Sequence, residues 1–246
     1  MDKKRASGVE RKVMKIIEVK ENVFLRNDIE AEKLRKELSD KGIFLLNVTS
    51  SPGSGKTTLL TALINILKQK LEVAAMDVDI ETDCDAARVA EKTGIRSVQV
   101  HNGGLCHIDA DMVRRAVKEA DFGNPDLIVL ENIGNLVCPA EFDTGAHLNM
   151  MLLSVPEGDD KPLKYPLMFE KSDFIAVTKT DVSEIFDFDR EKFVERVKNL
   201  NKNAELFFVS AKSGDGIENL AERIYNIIKS KKIILTQGEN YNARNE

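Results

Sequence analysis

From Ile43 onward the chain alternates short apolar runs with amphipathic stretches. The runs "IFLLNV", "EVAAMDVD", "SVQV", "DLIVLENIG", "LNMMLLSVPEG", "DFIAVTK" and "AELFFVS" read as strands bounded by turn-forming or charged residues. Between them, helices are predicted from Thr57 to about Lys70, around "AARVAEKTG", from about Asp109 to Ala120, from about Asp189 to Leu200, and from Gly216 to about Lys229. Such alternation predicts an α/β fold, a mostly parallel β-sheet sandwiched by helices. No internal repeat is visible.

The flanks differ. "NDIEAEKLRKELSDKG" has helix formers throughout, with Asn27 or Asp28 as N-cap and Gly42 as stop, and predicts a solvated helix leading into the first strand. Residues 1–27 are rich in Lys, Arg and Glu and suit a frayed segment or a short docking helix. The terminal "LTQGENYNARNE" is polar and expected to be disordered. The expected organisation is an N-terminal extension at 1–27, a G domain with helical lead-in at 28–232, and a flexible tail at 233–246.

At 246 residues, 42% of them hydrophobic, the chain has enough material for one sizeable core but not two full domains. A net charge of −5 gives no whole-chain footprint for nucleic acid. No window approaches the roughly 18 apolar residues of a membrane span, and "MDKKRASGVERK" lacks the apolar core of a secretory signal. The expectation is a soluble cytoplasmic protein with neither nucleic acid nor membrane as partner. Its three cysteines, Cys84, Cys106 and Cys138, are odd in number and widely spaced, so they are free thiols or metal ligands rather than a disulfide framework.

The strongest chemical signal is "FLLNVTSSPGSGKTTLL", a strand, a small-residue loop and a helix start. It fits the phosphate loop Gly-x-x-x-x-Gly-Lys-[Ser/Thr] except that Ser50 replaces the first glycine. That departure costs little, because the cradling N–H groups lie between Gly53 and Thr58, through Ser54, Gly55, Lys56 and Thr57, at a helix N-terminus. Lys56 would reach the β- and γ-phosphates, and the Thr57 hydroxyl would ligate Mg²⁺. Pro52 has no N–H and only shapes the turn.

Two later strand ends carry Thr178-Lys179-Thr180-Asp181 and Ser210-Ala211-Lys212, similar to the guanine-reading elements of GTPases. A carboxylate such as Asp181 can accept from guanine N1–H and its exocyclic amine, a donor pair that adenine lacks. Lys179 would cover the ring and brace the phosphate loop, and the Ala211 N–H would donate to guanine O6. Between the two regions, "DLIVLENIGNLVCP" places Glu131 and Gly134 where a GTPase carries its Mg²⁺-side carboxylate and γ-phosphate-sensing glycine. After the second strand, Asp77, Asp79, Glu81, Asp83 and Asp85 form either a solvated acidic face or a cation site, with Asp79 or Asp85 favoured as ligand. No glutamine or arginine finger is identifiable, so intrinsic hydrolysis is expected to be slow.

Cys106 and His107 are adjacent, and Cys138 follows four residues after Gly134. Thiolate and imidazole suit Zn²⁺ or Ni²⁺, and these are three of the four ligands a tetrahedral site needs. Two half-buried structural cysteines remain the alternative. Cys138 belongs to the segment that must move when the γ-phosphate leaves, so a metal there would feel the nucleotide state. His101 and His147 read as surface or loop residues, His101 being near enough to assist.

Across Ile29 to Ile228, the blocks "SSPGSGKTTLL", Asp79 to Arg88 as D-x-E-T-D-x-D-x-x-R, Gly104 to Asp109 as G-x-C-H-x-D, "ENIGNLVCP", "LLSVPEGDDKPLKYP" and "TKTD" resemble the hydrogenase nickel incorporation GTPases, the HypB family. The resemblance implies a SIMIBI-class P-loop G domain that hydrolyses GTP to GDP and dimerises with GTP. It implies nickel delivery to the [NiFe] hydrogenase large subunit, with a HypA-type accessory zinc protein as partner. It also implies Ni²⁺ or Zn²⁺ at Cys106, His107 and Cys138 near the dimer interface, and Asp79 and Glu131 on the Mg²⁺ side. Two departures stand out: there is no N-terminal Cys-x-x-Cys or histidine-rich stretch, and Asn102-Gly103 replaces the family's Thr-Gly. The rival readings are a relative serving urease or cobalamin enzymes, and a metal storage or sensor module with a vestigial GTPase.

Overall fold

The computed structural model describes the backbone of residues 19–79 and 84–242, and side chains within 23–78 and 86–232. Its central strand, β1 (Phe44–Ser50), is buried along its whole length. Phe44, Leu46 and Val48 point to one core, and Ile43 and Leu45 to another on the opposite face. An apolar run without alternation is what a strand covered on both sides requires.

The chain runs α1 (Val19–Asp40), β1, α2 (Lys56–Leu67), β2 (Val73–Asp79), α3 (Cys84–Thr93), β3 (Arg96–His101), α4 (Ala110–Ala120), β4 (Leu127–Gly134) and α5 (Cys138–Glu141). It continues through β5 (Leu148–Ser154), α6 (Lys161–Lys164), α7 (Pro166–Lys171), β6 (Phe174–Thr178), α8 (Arg190–Leu200), β7 (Glu205–Phe208) and α9 (Ile217–Asn242). The strands form one seven-stranded sheet in the order β3-β2-β4-β1-β5-β6-β7. Every pairing is parallel. Helices α2 and α9 pack on one face, and α1, α4, α7 and α8 supply the cores of the other. All strands therefore end at the same edge, and strand order reverses beside β1, where α/β sheets open a ligand crevice.

Three expectations change. The lead-in helix is already formed upstream of Asn27 and Asp28, over Val19–Asp40, because neither proline nor glycine interrupts residues 19–40. Asn27 is buried within it and serves other elements: its Nδ2 donates to Asp143 O (2.9 Å), and its Oδ1 accepts from Ala110 N–H (3.0 Å) at the start of α4. That helix is also not simply solvated, since Ala31, Leu34 and Leu38 are buried. Arg35 anchors it further, pairing with Asp143 at 2.8 Å. At the other end, α9 runs through much of the expected flexible tail, since "IIL" at 233–235 continues its apolar run without a proline. Residues 1–18 and 243–246 lie outside the described residues.

His147, expected to be a surface or loop residue, is half-buried where the chain enters β5. Its Nδ1 accepts from Leu45 N–H (3.0 Å), which leaves Nε2–H to face Ser39 Oγ at 2.9 Å. Ser39 in turn donates to Arg35 O (2.8 Å). Burial, reinforced by the Lys231 and Arg35 charges, pushes the imidazole from 6.5 down to about 4. Between those values the unfolded chain binds the extra proton and the folded one does not. Stability should therefore fall as pH drops from 6.5 toward 4, by at most about 3 kcal/mol from this group. Urea unfolding of the protein and of His147→Gln across that range checks this; the expected result is a shallower pH slope in the variant.

Candidate functional site

The loop between β1 and α2 turns at two left-handed glycines, Gly53 (φ 77°) and Gly55 (φ 91°). Such a backbone favours glycine and lets amide groups approach a ligand closely. Two residues from the end of β6 hold the loop from behind. Thr178 Oγ1 donates to Ser54 O (2.6 Å), and Lys179 Nζ donates to Gly53 O (2.7 Å). Ser50, which replaces the first motif glycine, is buried and donates to Ser51 O (2.9 Å), so its hydroxyl is spent within the turn.

The end of β4 closes the other side. Thr57 Oγ1 donates to Glu131 Oε1 (2.9 Å), and Lys56 Nζ donates to Asn132 O (2.7 Å) while lying 3.7 Å from Glu131 Oε1. Gly134 sits against the phosphate loop, where an added Cβ would come within 3.3 Å of Pro52 Cγ. These groups line a cavity of 540 Å³ that also reaches Lys179, Asp77 and Arg88. Asp77 is buried and in register with Glu131 on the neighbouring strand. Arg88 lies on α3. Asp77 was one of the five carboxylates of the candidate cation site, whereas Arg88 was assigned no role by sequence; its spacing one helical turn past the acidic loop was the available signal. The side chains of Asp79 and Asp85 lie outside the described residues.

At the far end, Lys179 takes a left-handed backbone (φ 58°), which turns its side chain back across the phosphate loop. Asp181 Oδ1 accepts from the buried Ser210 Oγ (2.7 Å), so the two strand-end motifs meet. That bond orients the carboxylate, and Ser213 N–H donates to the same Ser210 Oγ (3.2 Å) to fix the hydroxyl. Ala211 packs against the core beside α9, and Lys212 is exposed.

The sulfur side adjoins β4. Cys106 Sγ lies 2.7 Å from Cys138 Sγ, and His107 Nδ1 is 3.8 Å from Cys106 Sγ. Both thiols are free. Their mutual hydrogen bond pushes the Cys106 thiol above its ordinary range. The His107 ring stacks on Phe142 with centroids 3.7 Å apart. Among the described residues no three His, Cys, Asp or Glu side chains converge as an ion requires, so the expected ligand set is adjacent without being assembled. His101 is exposed on β3, and the Cys84 side chain is outside the described residues. Asn102 strengthens the loop: its Nδ2 donates to Leu105 O (2.7 Å) and His107 O (2.8 Å).

The fold and phosphate loop define a P-loop nucleotide-binding protein with a thiol pair beside the end of β4. The family described as CobW/HypB/UreG, nucleotide-binding domain, matches residues 44–208. The hydrogenase maturation factor HypB of Azotobacter chroococcum mcd 1 is 42% identical over 82% of this chain and 66% of its own length. The chain thus spans about two thirds of that relative. The hydrogenase/urease maturation factor HypB of Helicobacter hepaticus is 38% identical over 85% of this chain and 87% of its own. A crystal structure of HypB from Helicobacter pylori in complex with nickel superposes with a TM-score of 0.78 at 35% identity, covering 83% of this chain and 96% of that one. The chain belongs to the CobW/HypB/UreG family and, within it, to the HypB proteins.

The guanine assignment predicts that Asp181→Asn weakens GDP binding by about 30- to 100-fold, since a charged acceptor pair is worth a few kcal/mol. Xanthosine diphosphate, with an oxygen where guanine has its amine, should recover part of the loss in the variant. Calorimetric titration with both nucleotides checks this.

Proposed function

We propose that the chain is a GTP-hydrolysing metallochaperone that binds Ni²⁺ or Zn²⁺ and assists nickel insertion during [NiFe] hydrogenase maturation. The observation that carries this reading is the segment from Glu131 to Cys138. At one end it contacts Thr57 and Lys56, and at the other it supplies a sulfur 2.7 Å from Cys106. A single short stretch thus faces both the nucleotide cavity and the metal-binding thiols.

GTP and its product GDP would lie with their phosphates on residues 53–58 and the base against Lys179, Asp181, Ser210, Ala211 and Lys212. The oxygen donors in the cavity, the Thr57 hydroxyl and the Glu131 carboxylate, with Asp77 beside them and Asp79 proposed from sequence, suit the hard cation Mg²⁺. When bound, Mg²⁺ would neutralise phosphate charge. Lys56 would hold the phosphate oxygens, and Gly134 would report whether the γ-phosphate is present.

Nickel is the cargo. One chain offers Cys106, His107 and Cys138, one ligand short of a tetrahedral shell, and a two-fold dimer would pool two such sets. Exposed Leu105 (41%) and Val137 (56%) flank the cysteines, an apolar surround suited to a contact between copies. The proposed partners are a second copy of the chain, a HypA-type accessory zinc protein and the [NiFe] hydrogenase large-subunit precursor, all in the cytoplasm. Among the described residues no helix is long and apolar enough to cross a membrane. A urease role is the second reading, favoured by the hydrogenase/urease name of the Helicobacter hepaticus relative.

The expected result is that Ni²⁺ affinity differs between the GDP-bound protein and the protein bound to a non-hydrolysable GTP analogue. The difference should vanish in Cys106→Ala/Cys138→Ala, and affinity should rise with pH because thiols must lose protons to bind. Hydrolysis with Mg²⁺ should be lost in Lys56→Ala. Equal nickel affinity in both nucleotide states would reduce the metal site to a structural one, and hydrolysis that survives Lys56→Ala would remove the assigned GTPase.

A further inference from the structure

Asn135 is the first residue past the switch glycine, and its single side-chain amide holds both cysteine-bearing segments. Its Nδ2 donates to the Cys106 carbonyl (3.3 Å), and its Oδ1 accepts from Val137 N–H (2.8 Å), one residue before Cys138. Its own N–H donates to Ile133 O (2.8 Å), closing a tight turn at the end of β4. Because Asn102 separately ties Leu105 to His107, the Cys106 loop is stiff, and a pull on its carbonyl moves the loop as a unit.

The nucleotide end of the same stretch is equally tied. Asn132 O takes the Lys56 ammonium, Asn132 Oδ1 accepts from Ile133 N–H (2.8 Å), and Asn132 Nδ2 donates to Asn47 Oδ1 (3.0 Å). Residues 132–135 are thus gripped by the phosphate-loop lysine at one end and by the two cysteine segments at the other. An amide is suited to Asn135 because it offers a donor and an acceptor together. Aspartate would place an anion against the Cys106 carbonyl, and a hydrocarbon would offer neither group.

We propose that Asn135 is a positioning residue that sets the spacing of Cys106 and Cys138 and transmits the nucleotide state of residues 131–134 to both sulfurs. This rests on the metallochaperone reading for its biological meaning, but the spacing itself is measurable without metal. When Lys56 turns to a γ-phosphate it releases the Asn132 carbonyl. The turn loses that anchor, and Asn135 shifts the Cys106 loop relative to Cys138.

The test uses the full chain, metal-free, with dibromobimane, which fluoresces when its two arms bridge neighbouring thiols. Peptide mapping identifies Cys106–Cys138 as the bridged pair and separates it from Cys84. The unsubstituted protein should bridge at different rates with GDP and with a non-hydrolysable GTP analogue. In Asn135→Ala the difference should disappear and bridging should slow at least ~5-fold, the weight of one or two hydrogen bonds. GDP affinity should stay unchanged and unfolding should stay cooperative, with the thermal midpoint lowered by no more than about 2–8 °C for the lost hydrogen bonds, which separates positioning from misfolding. Asn135→Asp, which keeps the Val137 acceptor and loses the Cys106 donor, should fall between. Equal bridging in the two nucleotide states of the unsubstituted protein, or unaltered bridging in Asn135→Ala, overturns the inference. Nickel titration in parallel separates the two claims. Nucleotide-dependent bridging without nickel binding upholds Asn135 and removes the cargo reading. Nucleotide-dependent nickel affinity that survives Asn135→Ala does the reverse.

Discussion

The Lys56 ammonium lies against the Asn132 carbonyl at the carboxyl edge of the sheet, and much of the molecule's design follows from that contact. A phosphate-loop lysine needs an acceptor, and here the acceptor is the strand that leads to the thiols. With Thr57 hydrogen-bonded to Glu131 beside it, the contact joins α2 to β4 across a cavity made for polyphosphate. The parallel sheet makes this possible, because strands adjacent in space all deliver their loops to one edge. The register shift between β1 and β4, with Ser50 opposite Gly134, then presses Gly134 against the phosphate loop.

A second layer of organisation is built from asparagine amides. Asn27 joins α1 to the start of α4, and Asn132, Asn47 and Asn149 form a ladder across β4, β1 and β5. Asn102 and Asn135 stiffen and connect the sulfur loops. Asn201 closes α8 against three carbonyls at Phe169, Glu170 and Ser172. The ladder pairs amide with amide, while Asn27, Asn102, Asn135 and Asn201 supply donors and acceptors to backbone groups outside the regular ladders.

Those two layers were unequally legible in the sequence. Every strand was visible, the doubly covered ones as apolar runs and the edge strand β3 by its alternating Val98 and Val100, and phosphate chemistry demands glycine, lysine and threonine in a fixed local order. The strand-end motifs at 178–181 and 210–212 also stood out locally, and the structure hydrogen-bonds Asp181 to Ser210. What escaped was long-range. Asn27 looks like a helix cap by type, and only the fold shows that it serves Ala110. His147 is the loop residue it reads as, but the sequence did not show that Leu45 and Ser39 hydrogen-bond its ring. Arg88, which the spacing hinted at, reaches the cavity through the docking of α3, and Asp77, one of five acidic candidates, reaches it through the register of β2 with β4. The thiol pair was foreseeable as adjacent, but the stacking of His107 on Phe142, which leaves the ligand set open, was not.

If the end of β4 couples the nucleotide cavity to the cysteines, amide hydrogen exchange of the intact protein, with GDP and then with a non-hydrolysable GTP analogue, will show it. Protection should change together in the segments 102–108 and 131–141 as well as in the phosphate loop. Changes confined to the phosphate loop and residues 131–134, with 102–108 unmoved, would contradict it.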